Sequence, residues 1–274
     1  MNVRRMAESH TTEQVEQAAV RLLQDRDACV ALAKFPTNLT PLTLSQGYQI
    51  QDQLIKKYKS RGDGIGGWKV GLASRKMQKA VGIPHPIEGP ILASLIRQGG
   101  THLSINDYLT LCVEAEIAFV VGEDIAAGEK LYTPEQVSAR IETVAVAIEI
   151  ADDRGSNNSV LHGGGLNIAN FVHNAGCVMG NPVQNWSTID LAQETLQITL
   201  NGYSMGAGAG SEVLGNPINS ATWLANNLSQ RGYVLSAGSI IMTGCVTTTI
   251  WLNEGDSLRV ESKHLGEVSV KVVR

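Results

Sequence analysis

The sequence has no glycine-rich cradle for phosphate. Neither Gly-x-x-x-x-Gly-Lys-Ser/Thr nor a strand-linked Gly-x-Gly-x-x-Gly occurs, which removes the usual means of holding a nucleotide. No apolar run approaches the ~20 residues needed to cross a bilayer. Residues Met1 to His10 mix charged and polar side chains without the apolar stretch of a secretory signal, so a cytoplasmic protein with no membrane anchor is expected. Basic charge is scarce as well: 22 Lys and Arg stand against 26 Asp and Glu, and no basic stripe interleaved with aromatics occurs. That pattern argues against nucleic acid as a partner and for a small metabolite. The four cysteines, Cys29, Cys112, Cys177 and Cys245, are scattered, with no Cys-x-x-Cys pair, so neither a zinc cluster nor a disulfide framework is indicated. They read as buried, reduced thiols.

What is present is acidic. Glu114 and Glu116 lie inside the apolar run Cys112 to Val121, and Glu149 inside a second such run, Thr143 to Ala151. Alternate residues of a strand share a face, so Glu114 and Glu116 project together. Buried carboxylates are costly without a partner, and three of them converging would demand a cation. An all-oxygen, hard donor set suits Mg²⁺ or Mn²⁺ better than Zn²⁺. Ordinary alternation offers a second account of the first pair: an edge strand with Val113, Ala115 and Ile117 facing inward and the glutamates in solvent. Glu149 fits that account poorly, because its flanks are apolar on both parities.

The first sixty or so residues pattern as helices, Thr12 to Gln24 and Ser45 to Lys59, with Thr43 or Ser45 as a cap for the second. From Gly64 the texture becomes short β-branched runs. Strands are expected near 67–71, 91–95, 111–121, 143–150, 177–180, 196–200, 239–243, 257–262 and 267–273, with a hairpin at Asn201-Gly202 and a helix from Pro217 to Gln230. Gly206 to Gly210 and Gly163 to Gly165 read as loops near the acidic site, the latter with His162 as a mobile flap. The division is a helical N-terminal part over residues 1–65 and a β-rich catalytic domain over 66–274.

A series of motifs in order carries a resemblance. Gly67-Trp68-Lys69-Val70-Gly71-Leu72 is followed by Ser74, Met77-Gln78 and Gly82, then by Val113 to Phe119 and by Ala147-Ile148-Glu149-Ile150 with Asp152 and Arg154. Val213-Leu214-Gly215-Asn216-Pro217, Trp223-Leu224-Ala225 and Thr243-Gly244 complete the set. Together they resemble the 2-keto-4-pentenoate hydratase and 4-oxalocrotonate decarboxylase branch of the fumarylacetoacetate hydrolase superfamily.

The resemblance implies an α+β, mainly β fold: a mixed β-sandwich roll with a small helical N-terminal part. It further implies Mg²⁺ or Mn²⁺ on Glu114, Glu116 and Glu149, a small-molecule 2-oxo acid as substrate, and a homo-oligomer, with association to a related decarboxylase or hydratase. Lys69 is similar to the family's active-site lysine, and three carboxylates with a divalent ion leave a net negative charge that a cation must offset before an anionic acid can bind. The residues expected at the substrate are Lys69, Leu72, Arg154, Asn170, Thr243 and Thr247, and the candidate proton carriers are Lys69, Glu88 and His173.

The sequence departs from the family at those proton carriers. Ile87 stands where the family has an aspartate, with Glu88 one position on and so pointing the opposite way in a strand, and Asn170 stands where another aspartate is usual. The implied activity is hydration of a 2-hydroxy-2,4-dienoate to a 4-hydroxy-2-oxo acid, as in bacterial breakdown of aromatic compounds. The alternatives are decarboxylation of a 2-oxo-3-enedioate, C–C hydrolysis of an acylpyruvate, and a non-catalytic partner subunit.

Overall fold

The computed structural model describes residues 10–128, 130–154 and 163–274. Two helices open it, α1 (Thr12–Asp27) and α2 (Leu44–Ser60). Each starts at a capping box, Thr11 with Gln14 and Thr43 with Gln46, in which the threonine hydroxyl accepts from the glutamine N–H and the glutamine side chain accepts from the threonine N–H. Their apolar stripes, Val15, Ala18, Leu22 on one and Ile50, Leu54, Ile55 on the other, are buried.

Among the described residues, thirteen strands form two sheets. The larger contains β1 (Ile65–Gly71), β2 (Ile87–Leu92), β3 (Ile96–Gln98), β5 (Leu111–Val121), β6 (Ile141–Asp152), β7 (Asn174–Met179) and β10 (Ile240–Met242) in the order β2-β1-β10-β5-β6-β7-β3, with β11 (Ile250–Trp251) paired to β5. The smaller runs β4-β13-β12-β8-β9, from β4 (Thr101–Ser104), β8 (Thr195–Leu200), β9 (Tyr203–Ala209), β12 (Ser257–Ser262) and β13 (Gly266–Val273). The shorter helices α3 (Arg75–Val81), α4 (Pro134–Ser138) and α5 (Gly163–Ala169) and the longer α6 (Pro217–Gln230) complete the α+β fold. Among the described residues no helix is long and apolar enough to cross a membrane.

Alternation on the long central strands separates two environments. Val113, Ile117 and Phe119 of β5, with Val144, Val146 and Ile148 of β6, face a main core shared with α1, α2, α6 and the smaller sheet. The opposite face carries Ala118, Ala145, Ala147, Cys177 and Met242, a second buried cluster of a sheet whose β2 also touches β7. Glu114, Glu116 and Glu149 continue that second row.

Two glycine-rich segments differ from the expectation of loops. Gly206 to Ala209 belong to β9, because the Asn201-Gly202 turn feeds an antiparallel partner onto β8. Gly163 to Gly165 begin α5, which packs on α2 so closely that a Cβ at Gly47 would lie 2.3 Å from the Gly165 carbonyl oxygen. His162 lies outside the described residues.

Candidate metal centre

Pairing of β5 with β6 sets Glu114 directly opposite Glu149, and Glu116 lies two residues further along the same face. Ligand oxygens from the three carboxylates lie within 4.8 Å of one another. Each carboxylate is anchored through one oxygen. Glu114 Oε1 accepts from the Thr249 hydroxyl at 2.5 Å, Glu116 Oε2 from the Gly244 N–H at 2.8 Å, and Glu149 Oε1 from the Asn174 amide at 3.0 Å and from Lys69 Nζ at 3.2 Å. The other oxygens of Glu116 and Glu149 are buried without a hydrogen-bond partner among the described residues. Buried acceptors are rarely left unpaired, so these two fit a cation, and the all-oxygen set fits a hard divalent one.

The charges register the crowding. Burial, Glu149 and Glu114 push the Glu116 carboxyl well above the usual range, against the opposing pull of Lys69 and the Gly244 N–H. Burial opposes the charge on Lys69, but Glu149, Glu114 and Glu116 outweigh it and hold the ammonium above its ordinary value. Its Nζ also donates to the Val172 carbonyl at 3.4 Å.

Three of the four cysteines gather here, although no Cys-x-x-Cys spacing marks them. Cys112 shares the inward face with Glu114, Cys177 pairs with Glu149, and Cys245 follows Gly244. Burial and the adjacent carboxylates push the thiols of Cys112 and Cys177 up to about 12. The signal that was available is the i, i+2 relation of Cys112 to Glu114. Thr249, which anchors Glu114, has no local sequence signature, and Asn174, which anchors Glu149, is marked only by its place beside His173.

The structure does not bring Glu88 to this cluster. Glu88 pairs with Val70 on β1, whereas Lys69 pairs with Gly89, so Glu88 faces the opposite side. There it is fully buried and accepts from Tyr48 at 2.5 Å, from Asn227 at 2.7 Å and from Arg231. Thr243 is likewise committed elsewhere, its hydroxyl donating to the Ile117 carbonyl at 2.7 Å. Thr247 is half-buried beside Cys245, 3.9 Å from its sulfur, while it is Thr249 that touches a carboxylate.

Arg154 and Asn170 form one buried unit. Arg154 donates to Asn170 Oδ1 at 2.9 Å and to the Val30 carbonyl at 2.5 Å, and burial together with Arg26 brings its guanidinium down to about 10. It remains charged at neutral pH, but two of its donor positions are taken by protein acceptors. His173 lines a cavity of about 300 Å³ with Arg26, Tyr58, Arg97, Tyr108 and Arg154. Neither of its ring nitrogens has a partner among the described residues, and burial brings the imidazole down to about 4. Leu72 packs on an apolar patch of Ile83, Ile87, Ile168 and Val172. Ile87 pairs with Gly71 and so shares the face of Lys69.

Comparisons with known proteins agree with this geometry. Residues 75–273 match the family model described as fumarylacetoacetate (FAA) hydrolase C-terminal. The chain is 30% identical to a 2-keto-4-pentenoate hydratase from Burkholderia vietnamiensis over 81% of its own length and 83% of the relative's. It is 27% identical to a 2-hydroxyhexa-2,4-dienoate hydratase from Comamonas testosteroni, covering 94% and 97% of the two chains. Among solved structures, 4-oxalocrotonate decarboxylase from Pseudomonas putida G7, complexed with magnesium and adipate, superimposes with a TM-score of 0.90 at 26% identity, over 97% of this chain and all of that one.

Proposed function

We propose, from the premise that this chain belongs to the fumarylacetoacetate hydrolase family, that it is a divalent-metal-dependent lyase. Its reaction is hydration of a 2-hydroxy-2,4-dienoate with a short apolar tail to a 4-hydroxy-2-oxo acid. The observation that carries this is the acidic centre: three carboxylates, each anchored through one oxygen, with two buried oxygens unpartnered and a charged lysine alongside. Glu114, Glu116 and Glu149 would hold Mg²⁺ or Mn²⁺, which supplies Lewis acidity to the carboxylate and 2-oxo oxygens of a bound acid.

The remaining work falls to the protein. Hydration places the hydroxyl of water on carbon 4 and protons on carbons 3 and 5, while the enol proton leaves. Lys69, charged and within hydrogen-bond reach of Glu149, attracts the anionic substrate and can deliver a proton to it. The patch of Ile87, Val172 and Leu72 on the Lys69 side gives a tail an apolar wall. Arg154, the candidate partner for a second substrate carboxylate, already donates to Asn170 and Val30. Both features support the hydratase over decarboxylation of a dicarboxylic substrate. From the resemblance alone, the proposal includes a homo-oligomer able to associate with a related decarboxylase, which sedimentation of the separate and mixed proteins tests.

The enzymatic test uses the purified chain with Mg²⁺, following loss of dienoate absorbance alongside CO₂ release from an oxalocrotonate-type acid. Hydration abolished by EDTA and restored by Mg²⁺ is expected. CO₂ release without hydration would make the chain a decarboxylase, and ligand binding without turnover would make it a non-catalytic partner.

A further inference from the structure

We infer that Arg26, in the last turn of α1, is a positioning residue that sets Lys69 and Glu149 through a strained turn; this rests on the metal-lyase function proposed above. Phe171, Val172 and His173 are consecutive residues in the left-handed region, with φ of 60°, 51° and 64°. None is glycine and one is β-branched, so the conformation is costly and persists only where the surroundings impose it.

Arg26 imposes it from above. Its Nη1 donates to the carbonyl and Oδ1 of Asn170 at 3.4 and 3.2 Å, and its Nη2 donates to the Asn174 carbonyl at 3.1 Å, so one planar guanidinium spans both ends of the turn. The same group lies 4.9 Å from the centre of the Phe171 ring, and its Nε donates to the Tyr58 hydroxyl at 3.1 Å. From below, β1 and β2 leave room only for glycine. A Cβ at Gly89 would sit 2.4 Å from the Phe171 carbonyl oxygen, and one at Gly71 would sit 2.7 Å from Val172 Cγ1.

Two of the turn's polar groups reach the centre. The Val172 carbonyl accepts from Lys69. Asn174 Oδ1 accepts from the Gly176 N–H at 3.1 Å, which turns its amide nitrogen toward Glu149 Oε1. Both donors to Glu149 Oε1, Lys69 and Asn174, are therefore placed by the turn, and Glu149 Oε2 is left without a hydrogen-bond partner among the described residues. A helix distant in sequence thereby controls the orientation of one ligand and of the catalytic ammonium.

The test compares Arg26→Ala, Arg26→Lys and Gly89→Ala, measuring kcat, KM, Mg²⁺ affinity by calorimetry and thermal stability. Misplaced catalytic groups and outer-sphere partners of metal ligands each cost on the order of 10- to 100-fold. Arg26→Ala and Gly89→Ala should therefore lose about that much in kcat and weaken Mg²⁺ by roughly 10-fold, with KM little changed. Lysine should not substitute, lacking the fork. Added methylguanidinium should restore Arg26→Ala and leave Gly89→Ala unrestored. Unchanged kcat and Mg²⁺ affinity, losses that merely track the folded fraction, or absence of rescue would overturn the inference. Should Arg26→Ala not fold, Gly89→Ala and Arg26→Lys carry the test. Lys69→Met separates the two levels: an active Lys69→Met enzyme removes the lysine's role and this inference with it. An inactive one beside fully active Arg26 and Gly89 variants removes only the inference.

Discussion

Replacing Glu88 separates a structural carboxylate from a catalytic one. Its side chain is fully buried and accepts from Tyr48, Asn227 and Arg231. Arg231 also reaches Asp52 at 2.5 Å and lies 4.2 Å from the Tyr48 ring centre. Breaking a buried ion pair costs about 3–5 kcal/mol because the surviving charge is left uncompensated. Asp52 is partly exposed and still neutralises Arg231 in Glu88→Ala, which puts the expected loss near the lower end, ~3 kcal/mol. For a chain of this size each kcal/mol moves the melting midpoint by roughly 2–4 °C, so a drop of about 6–12 °C is expected. Glu88→Gln keeps the volume and an acceptor for Arg231, and should lose only ~1–2 kcal/mol. Thermal unfolding by circular dichroism reads both variants, and turnover is assayed well below their midpoints. Both should retain activity in proportion to folded protein and bind Mg²⁺ as the parent does, since Glu88 faces away from Lys69. A Glu88→Gln protein with the parent's melting midpoint but no turnover would refute the assignment and return Glu88 to the proton carriers.

Glu116→Gln and Glu149→Gln should each weaken Mg²⁺ binding by more than ~100-fold in calorimetry, exceeding what loss of an outer-sphere partner costs. Ligand carboxylates must be deprotonated to bind metal, and the Glu116 carboxyl is held well above its usual range. Mg²⁺ affinity should therefore rise with pH, by about tenfold per pH unit below that carboxyl's pKa and levelling above it; a flat profile from acid to neutral pH would contradict the crowded centre. For His173 the folded value of about 4 lies below the ordinary 6.5, so the unfolded chain binds the proton first. The resulting stability is complete above about pH 6.5 and is lost as pH falls toward 4, by at most roughly 3 kcal/mol, and His173→Gln should flatten denaturant-measured stability across that window.

Much of this architecture is legible in local pattern. The strands Leu111–Val121 and Ser257–Ser262, the helix Pro217–Gln230, the Thr43 cap and the Asn201-Gly202 hairpin each announce themselves through period, cap or turn chemistry. The common face of Glu114 and Glu116 follows from alternation, as does the opposite facing of Ile87 and Glu88. Glycine runs mislead, because a glycine permits a loop and a close packing contact equally, and Gly47 against Gly165 is the second case. The gathering of Cys112, Cys177 and Cys245 is invisible locally, since their strands become neighbours only on pairing.

The sequence by itself determined the long strands and helices, such as Leu111–Val121 and Pro217–Gln230, that two acids share a strand face, and that this face is otherwise apolar, because these follow from periodicity within one element. Only the tertiary structure decided that Glu149 stands opposite Glu114, that Asn174, Thr249 and the Gly244 N–H each hold one carboxylate oxygen, and that Arg26 braces the turn behind Lys69. Such contacts depend on the register between segments far apart in the chain, and a one-residue slip would turn every side chain of a strand to its other face.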